Sequence, residues 1–567
     1  MNRSKAGLAL GNLLLSVALL STVGEPRAEY SLSPYSETVV WACLLAAVTC
    51  GVLVVIFGHR QWRLFGAGLS IVSMVAAIGL PMLRAPYYYG FGDPLTHLGY
   101  LRSLLAGDLD VFDLFYPVFH TFVAELVYLL GIGPRRALLL TTVVLLSTWF
   151  VGSVVLLRRL GASGEAGIAF LAPLVVLPIN PVSIFPRPHP ATAAVFFTPV
   201  VLYAFACRKD RRFGLPFLIL FGTLLLLHPL VAIITASLLL AWPISQEGAV
   251  RLGAVVSSGW RRPPWTQGAV LLATAAFLGS LFYLLGQAAF QSASGSIVTL
   301  LGQDSAGAAT ASRSSSLSSV GGSLLTFGLK IGAKYLVFGI LSAIAVFGIL
   351  RRRDPRLAGL AAAVAPVFLA VGLFIAAGQI NIWSRLLSLL MVVAMVLGAA
   401  GLRYSQDSIE AAVSPQAANL AVAIVLLGAI LVAFPVLHPS PYIYSTNERV
   451  PEDFAETHDH MFEFAASDGE FLEIRKPVYR YHHGLYGTAP GRLTVDPNRA
   501  SPIPDHFSRK GIPEGGGPRY VPITTADEPR EVGLYNGFRY SRADFRHLPM
   551  TSEPIYDSNG GTIYIYS

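Results

Sequence analysis

Long apolar runs fill the first 437 residues of the chain, and they restrict its fold more than any other feature. A helix needs roughly 20 apolar residues to cross about 30 Å of hydrocarbon, and thirteen runs approach that length. Their approximate bounds are 6–23, 38–57, 64–82, 137–157, 166–180, 190–206, 214–227, 229–245, 267–286, 323–350, 357–377, 384–402 and 417–437. With only 13% charged residues in the whole chain, this pattern predicts an all-α polytopic membrane domain of about 13 transmembrane helices.

The positions of lysine and arginine predict how these spans are oriented. If the thirteen spans alternate, most of the basic loops fall on one side, and the cytoplasmic side is the one that collects positive charge. The N-terminus is then cytoplasmic, while the segment 83–136 and everything after about residue 438 lie outside. The basic groups that set this orientation are Arg3 with Lys5, Arg60 with Arg63, Arg158 with Arg159, "CRKDRRFG" at 207–214, "WRRPPW" at 260–265, "RRRDPR" at 351–356 and Arg403.

Two alternatives were weighed at this level. Residues 6–23, behind Arg3 and Lys5, could be a signal-peptide core, although no clear cleavage site follows. The net charge of +8 could indicate nucleic-acid binding. However, residues 440–567 hold thirteen Lys and Arg against eighteen Asp and Glu, so the excess lies in the membrane part, where the inside-positive bias explains most of it. We therefore expect membrane lipids and no nucleic acid as partners, in an integral protein of the cell membrane.

The chain divides into a membrane domain, 1–437, and a C-terminal tail, 438–567, which is long enough for a small core. The tail reads as a mixed α/β domain: 452–467 has helical spacing, whereas 474–487 and 553–567 alternate as strands do. Asn559 and Gly560 predict a hairpin turn in the last of these. The three cysteines fall in predicted spans or at their ends, so the tail has no disulfide framework. The Ser/Gly-rich loop 302–322 is too polar to fold alone.

One external segment gathers polar groups between the apolar runs. The stretch "YYYGFGDPLTHLGYLRSLLAGDLDVFDLFYPVFH", 87–120, holds four aspartates, two histidines and an arginine. Asp93 followed by Pro94 predicts a helix with Asp93 as its cap, ending before Gly107. A second helix is predicted from Pro117. Both would lie at the outer membrane face and shape a cavity there.

Asp93 and His97 are four residues apart, so both project from one face of that helix. Ionisable groups at a membrane interface are costly unless they are hydrated, paired or used, which makes the pair a candidate site. The alternatives are that Asp93 only caps the helix and that His97 is an ordinary surface histidine. Asp108 and Asp110 could bind a divalent metal through their oxygens, or they could be solvated loop carboxylates, as Asp113 could be.

The pattern "GD-P-x-x-H-x-x-x-x-R-x-x-x-x-G", followed by "YP-x-x-H" at the start of a long apolar helix, resembles the first external loop of the GT-C superfamily of polytopic glycosyltransferases. Matching features elsewhere are "RRLG" at 158–161, "LHPL" at 227–230, Arg385 at the start of a late helix and the outer tail. That superfamily includes the dolichyl-phosphate-mannose mannosyltransferases and the lipid A aminoarabinose transferases. The tail carries no "WWDYG"-like motif, so the resemblance does not extend to recognition of peptide sequons.

The resemblance implies an enzyme that moves a sugar from a polyprenyl-phosphate donor to an acceptor hydroxyl on a glycan, lipid or protein, outside the cytoplasm. Asp93 would be the catalytic base and His97 would orient it or the acceptor. Arg187, His189 and Arg385 would hold the donor phosphate. A single displacement would invert the anomeric carbon. The resemblance identifies no definite cofactor, and participation of a divalent metal is left open.

The alternative hypothesis is a transporter or flippase of lipid-linked cargo. Transporters usually keep ionisable or broken-helix sites near the membrane midplane and often contain inverted repeats. This chain concentrates its polar groups at one predicted face and shows no visible repeat. The sequence pattern therefore favours the transferase.

Overall fold

A computed structural model of the protein describes residues 3–23, 30–162, 166–180, 184–208, 210–251, 265–285, 317–318, 321–352, 355–376, 380–489, 499–512 and 517–566. Helices make up nearly all of the described membrane part. They are α1 (Arg3–Leu20), α2 (Thr38–Phe57), α3 (Arg60–Leu83), α4 (Asp93–Ala106), α5 (Pro117–Leu130), α6 (Pro134–Leu160), α7 (Ala166–Val175), α8 (Pro190–Ala206), α9 (Gly214–Leu227), α10 (Pro229–Arg251), α11 (Trp265–Leu285), α12 (Leu324–Arg352), α13 (Pro355–Ala363), α14 (Ala365–Ala376), α15 (Ile380–Ala412) and α16 (Pro415–Ala433).

Eight helices in the described ranges are long and apolar enough to cross a membrane, namely α1, α2, α3, α6, α10, α12, α15 and α16. Five shorter apolar helical segments lie at Pro117–Leu130, Pro190–Ala206, Gly214–Leu227, Leu271–Tyr283 and Leu357–Leu373. The all-α polytopic class is thus confirmed, while the count of thirteen spans stays a prediction. The "WRRPPW" loop falls outside the described residues except for Trp265, and the 302–322 loop does so except for 317–318 and 321–322.

Two sequence motifs mark real helix ends. In "LHPL", α9 ends at Leu227 and α10 begins at Pro229, with His228 in an extended conformation between them. Proline has no backbone N–H and suits a first helical position. In "RRLG", Gly161 ends α6 in the left-handed conformation, with φ +66°, which glycine adopts without strain.

Three of the basic segments in the described membrane part lie close together, namely the 158–161 turn, the end of α8 and the part of α15 around Arg403. Arg403 Nη1 donates to the carbonyl of Gly161 at 2.8 Å. Arg159 Nε donates to the carbonyl of Ala206 at 3.4 Å. Alternating helices would bring these loops together, as the sequence analysis assumed. The assignment of these segments to the cytoplasm stays a prediction.

The tail is built around a five-stranded sheet with the order β4-β3-β5-β7-β6. Its strands are β3 (Glu470–Glu473), β4 (Ala500–Pro502), β5 (Arg519–Thr524), β6 (Glu553–Asp557) and β7 (Gly561–Tyr566), preceded by the short β1 (Tyr88–Tyr89) and β2 (Arg449–Val450). β3 pairs in parallel with β4 and β5, and β7 pairs antiparallel with β5 and β6. The helices of the tail are α17 (Glu452–Phe464), α18 (Val478–Tyr486), α19 (Phe507–Lys510) and α20 (Arg542–Thr551).

The tail confirms two local predictions and corrects a third. α17 lies within the predicted helix, and β6 and β7 form the predicted hairpin across Asn559 and Gly560. The strand predicted over 474–487 is wrong, because 478–486 forms α18. Val478, Tyr481 and His482 are its buried side chains, and their spacing of three and four residues is that of a helix face.

The tail packs directly on the polar segment of the membrane part. β1 pairs antiparallel with β2, and α4 lies against α18. A Cβ on Gly99 would stand 2.5 Å from the backbone oxygen of His483, so glycine is needed for this close approach. Ser103 Oγ, further along α4, accepts hydrogen bonds from the backbone N–H groups of Thr488 at 2.8 Å and Ala489 at 3.2 Å.

The close helix contact can be tested with a single methyl group. Gly99→Ala should push α4 away from α18 and lower the free energy of unfolding by about 1–3 kcal/mol, the usual cost of overpacking, as measured by thermal unfolding of the purified full chain. Gly68→Ala is the matched control, because a Cβ on that glycine of α3 would meet nothing within 4 Å. Equal stability of Gly99→Ala and the control would contradict the close packing.

Candidate active site

The carboxylate of Asp93 is paired across the interface between α4 and the tail. Asp93 is the first residue of α4, Gly92 occupies the cap position, and no side-chain cap hydrogen bond is present at this helix start. The prediction that Asp93 caps the helix is therefore wrong. Its Oδ1 lies 2.8 Å from Nη2 of Arg480, and its Oδ2 lies 3.6 Å from Nε2 of His189.

The loop before α4 is held by Glu448, which precedes β2. Glu448 Oε2 accepts a hydrogen bond from the backbone N–H of Phe91 at 2.9 Å, and its carbonyl accepts one from Gly90 at 2.7 Å. Gly90 and Gly92 have φ of +112° and +78°, a region that side chains other than glycine rarely adopt. The "GFGD" sequence therefore lets the chain turn sharply and present Asp93 at the start of the helix.

The tautomer of His189 is set by a hydrogen bond on the side of its ring away from Asp93. Its Nδ1 accepts a hydrogen bond from the backbone N–H of Ala191 at 3.1 Å, which caps α8. The proton of the neutral ring is thus assigned to Nε2, the nitrogen that faces Asp93. Burial lowers the pKa of His189 to about 4, with the Asp93 carboxylate opposing the shift. At neutral pH the ring is an uncharged donor.

The surroundings of Asp93 keep it ionised. The close approach of His189 Nε2 holds the pKa of the Asp93 carboxyl well below its usual range, and the positive charge of Arg480 acts in the same direction. Partial burial acts the other way and is outweighed. Arg480 is itself positioned by Thr96, whose Oγ1 accepts from Arg480 Nη1 at 2.7 Å.

His97 is bonded to a second histidine. His97 Nδ1 lies 3.2 Å from Nε2 of His120, and His120 Nδ1 lies 3.0 Å from the carbonyl oxygen of Tyr116. Because that carbonyl can only accept, His120 donates from Nδ1 and accepts at Nε2, so His97 donates from Nδ1. Nε2 of neutral His97 is then an acceptor. The His97 ring stands 5.3 Å from that of His189.

His228 adds a buried donor to the same site. Its ring stacks on Tyr116 with centroids 5.1 Å apart and planes 13° apart. Its Nδ1 accepts from the backbone N–H of Val231 at 3.3 Å, which assigns the proton to Nε2. That nitrogen is buried and has no hydrogen-bond partner within the described residues.

Two arginines, one on α15 and one in the loop before α8, complete the site. Arg385, on α15, lies close enough for its charge to act on Asp93, His189 and His228. Its Nε is buried without a hydrogen-bond partner in the described ranges, and so is Oγ of Ser388, three residues along the same helix. The charge of Arg187 also acts on His189, and its Nη1 lies 3.9 Å from Oε2 of Glu448. A buried polar group without a partner is costly, so these atoms indicate a place for a ligand that accepts hydrogen bonds.

The aspartates later in the segment take no part in this cluster. Asp110 Oδ1 accepts from the backbone N–H of Phe112 at 2.9 Å and caps a short 3-10 turn, Val111–Asp113. Within the described residues no group of three or more His, Cys, Asp or Glu side chains is placed to hold a metal. Among the residues searched, the metal site suggested at Asp108 and Asp110 thus finds no third ligand of these types.

The structure brings together Asp93 and His97, from the segment 83–136, with Arg187, His189 and Arg385, which the sequence placed in two other external segments. Arg480, Glu448 and Ser388 were not predicted from the sequence. His228 and Tyr116 were noticed only as parts of "LHPL" and "YP-x-x-H". The cluster "YRYHH" at 479–483 was a visible signal for Arg480, but its alternation was read as a strand.

Comparison with known proteins supports the fold. No protein-family model and no curated protein sequence matches the chain. Among solved structures, the oligosaccharyltransferase of Archaeoglobus fulgidus in the apo form matches with a TM-score of 0.51 and 12% identity, covering 90% of this chain and 75% of that one. The same enzyme tethered with an acceptor peptide containing the NVT sequon gives 0.50 and 12%, covering 90% and 74%. ArnT from Cupriavidus metallidurans bound to undecaprenyl phosphate gives 0.47 and 12%, covering 88% and 98%.

The two oligosaccharyltransferase structures carry the comparison, and that enzyme is a polytopic membrane glycosyltransferase of the GT-C type. The protein therefore has the GT-C fold, and the resemblance seen in the sequence is confirmed at the level of fold. At 12% identity the likeness establishes the architecture and not the reaction.

The pairing of Arg480 with Asp93 predicts a pH-dependent effect on stability. Because the pKa of Asp93 is lowered in the folded protein, its ionised form stabilises the fold above the unfolded-chain pKa of about 3.9, and this contribution is lost as the pH falls toward the lower folded pKa. Arg480→Gln should therefore unfold at a lower temperature than the wild type at pH 7, with the difference narrowing below about pH 4.

The matched background is Asp93→Asn, which has no carboxylate to titrate. In that background the additional Arg480→Gln change should shift the unfolding temperature by the same amount at pH 7 and pH 3. Thermal unfolding of the four purified proteins completes the comparison. If the effect of Arg480→Gln on the unfolding temperature still becomes smaller at pH 3 in the Asp93→Asn background, the pH dependence belongs to another group.

Proposed function

We propose that the protein is a membrane glycosyltransferase that moves a sugar from a polyprenyl-phosphate donor to an acceptor hydroxyl at the outer membrane face. One observation carries the proposal: an ionised carboxylate, Asp93, lies in the same site as buried donors on Arg385 and His228 that have no hydrogen-bond partner among the described residues. A transfer from a phosphate needs both a group that accepts a proton and groups that bind an anion. The archaeal oligosaccharyltransferase, whose fold the chain shares, is itself a sugar transferase, which supports the proposal.

The net charge of the site is opposite to that of a phosphodiester donor. Arg187, Arg385 and Arg480 carry three positive charges, and Asp93 and Glu448 carry two negative ones. His189, whose pKa is lowered to about 4, is neutral at pH 7. The five charged groups therefore leave an excess of one positive charge. A sugar esterified to a polyprenyl phosphate carries one negative charge, so the donor would neutralise this excess.

In the proposed reaction, the bond between the anomeric carbon and the phosphate oxygen breaks while the acceptor oxygen bonds to that carbon. The phosphate leaves with the electron pair, and the acceptor proton passes to Asp93. Because one displacement occurs, the anomeric configuration inverts. Glu448 is the other carboxylate of the site, and it is engaged by the Phe91 N–H and lies near Arg187, which does not suit a covalent nucleophile.

The pairing with Arg480 makes Asp93 a weak base in the resting protein, since a carboxylate of low pKa takes up a proton poorly. A donor phosphate would compete with Asp93 for Arg480. If Arg480 turns to the phosphate, the pKa of Asp93 rises and the leaving group gains a positive partner. His97 Nε2, an acceptor in the assigned tautomer, would receive a hydrogen bond from the acceptor hydroxyl. We expect hexosyl or pentosyl transfer, in a cell-membrane protein whose N-terminus is cytoplasmic and whose tail is external.

Asp93→Asn tests the role of the base. Asparagine keeps the shape of the side chain but cannot take up a proton at neutral pH, so turnover should fall by about 10² to 10⁴. The assay is release of free polyprenyl phosphate from a panel of polyprenyl-phosphate sugars by the purified full chain. Asp110→Asn is the control, because asparagine also caps the turn at 110 and turnover should stay unchanged. Wild-type turnover in Asp93→Asn would move the search for a base elsewhere.

Arg385→Ala tests the phosphate site. Losing one charge-assisted contact costs roughly 1.5–3 kcal/mol, so donor affinity should weaken about 10- to 100-fold, measured by equilibrium binding of the polyprenyl-phosphate sugar that supports turnover. Arg403→Ala removes an arginine at the other end of the same helix and should leave donor affinity unchanged. Unaltered affinity in Arg385→Ala would show that Arg385 does not hold the phosphate.

A further inference from the structure

All the basic residues of the segment 83–136 line a single cleft that is separate from the candidate active site. They are Arg84, Arg102, Arg135 and Arg136. The cleft has a volume of about 880 Å³. Its acidic lining residues are Glu452 and Asp453, so positive charge is in excess there.

The cleft lies at the ends of two candidate membrane spans. α3 ends at Leu83 and α6 begins at Pro134, and both residues line the cleft. Arg102 follows Asp93 by nine residues on α4, which is two and a half helical turns. The cleft and the carboxylate of Asp93 are therefore on opposite sides of this helix.

The start of α6 adds to the positive potential. Its cap residue is Gly133, no side chain caps it, and its first turn contains no acidic residue. The free N–H groups and the helix dipole at such an end favour an anion. Arg135 and Arg136 occupy this first turn, so two guanidinium groups and a helix N-terminus face the same space.

The protein's own acidic groups satisfy these arginines only in part. Arg84 pairs with Glu37 at 2.9 Å, and Arg135 lies 3.7 Å from Glu452. Nε of Arg84 and Nη1 of Arg135 are nevertheless buried without a hydrogen-bond partner among the described residues. The side chain of Arg136 is exposed.

The location of these arginines is unusual for a membrane protein. Short external loops normally carry few basic residues, yet this segment contains four and folds so that all of them face one cleft. We infer that the cleft binds a phosphate-bearing anion at the depth of the lipid headgroups. Arginine's planar donor fork matches phosphate oxygens, and the apolar Leu83 and Leu139 would lie beside the first carbons of an attached lipid. This inference does not depend on the proposed reaction.

The test uses the purified full chain in a neutral detergent at constant ionic strength. Short-chain phosphatidylglycerol, short-chain phosphatidylcholine and inorganic phosphate are each titrated while the unfolding temperature is measured. Arg136→Gln is the informative variant, because Arg136 is exposed and its loss should not disturb folding. Arg546→Gln, an exposed arginine on α20 in the tail, is the control for loss of one positive charge. Arg385→Ala controls for binding in the candidate active site.

Phosphatidylglycerol should raise the unfolding temperature at lower concentration than phosphatidylcholine. Arg136→Gln should raise the phosphatidylglycerol concentration needed for the same rise in unfolding temperature about 3- to 10-fold. Arg546→Gln and Arg385→Ala should leave that concentration unchanged. An effect of phosphatidylglycerol without one of inorganic phosphate identifies a lipid headgroup as the source of the anion. Stabilisation by inorganic phosphate without stabilisation by phosphatidylglycerol, again weakened in Arg136→Gln, identifies a free phosphate as the ligand. Equal responses of wild type and Arg136→Gln to both anions would overturn the inference.

Discussion

The ion pair between Asp93 and Arg480 is the contact on which the rest of the site depends. It joins the first turn of α4 to a helix of the tail, and the same arginine binds Thr96, 384 positions away along the chain. Without the arginine, an ionised carboxylate would stand beside the membrane with only a neutral histidine as partner. Gly99 allows α4 and α18 to pack closely. This close packing keeps Asp93 and Arg480 near enough to form the ion pair.

Backbone chemistry at helix ends arranges the remaining polar groups. A helix in lipid satisfies its own backbone, so free N–H groups occur only where the helix starts. His189 and His228 each accept such an N–H at Nδ1, at the start of α8 and α10. This fixes both rings with the Nε2 proton as the available donor. The hydrogen bonds that cap α8 and α10 therefore also orient the two histidine rings in the site.

Sequence reasoning succeeded where the signal was local and failed where it was not. Apolar runs located the helices, and the break at His228 and Pro229 followed from proline's missing donor. The capping role predicted for Asp93 was wrong, because Gly92 with its positive φ occupies the cap position and the carboxylate pairs with Arg480 instead. Arg480 could not be predicted as its partner, since nothing in a single sequence records which distant helix packs on α4. Because 474–487 was predicted as a strand, the cluster "YRYHH" was not recognised as a local indication of Arg480.

The origin of the cations explains why the tail is needed to complete the site. A membrane helix accepts few charged residues, and those it accepts concentrate near its ends. In this chain α15 supplies only Arg385, the loop before α8 supplies only Arg187, and the third cation comes from α18, outside the apolar bundle. A tail held by β1 with β2 and by the α4 contact can contribute a guanidinium group without a buried charge having to cross the hydrocarbon. The positive charge that balances Asp93 is therefore added at one end of the helix bundle, and it comes from a helix far along the chain from α4.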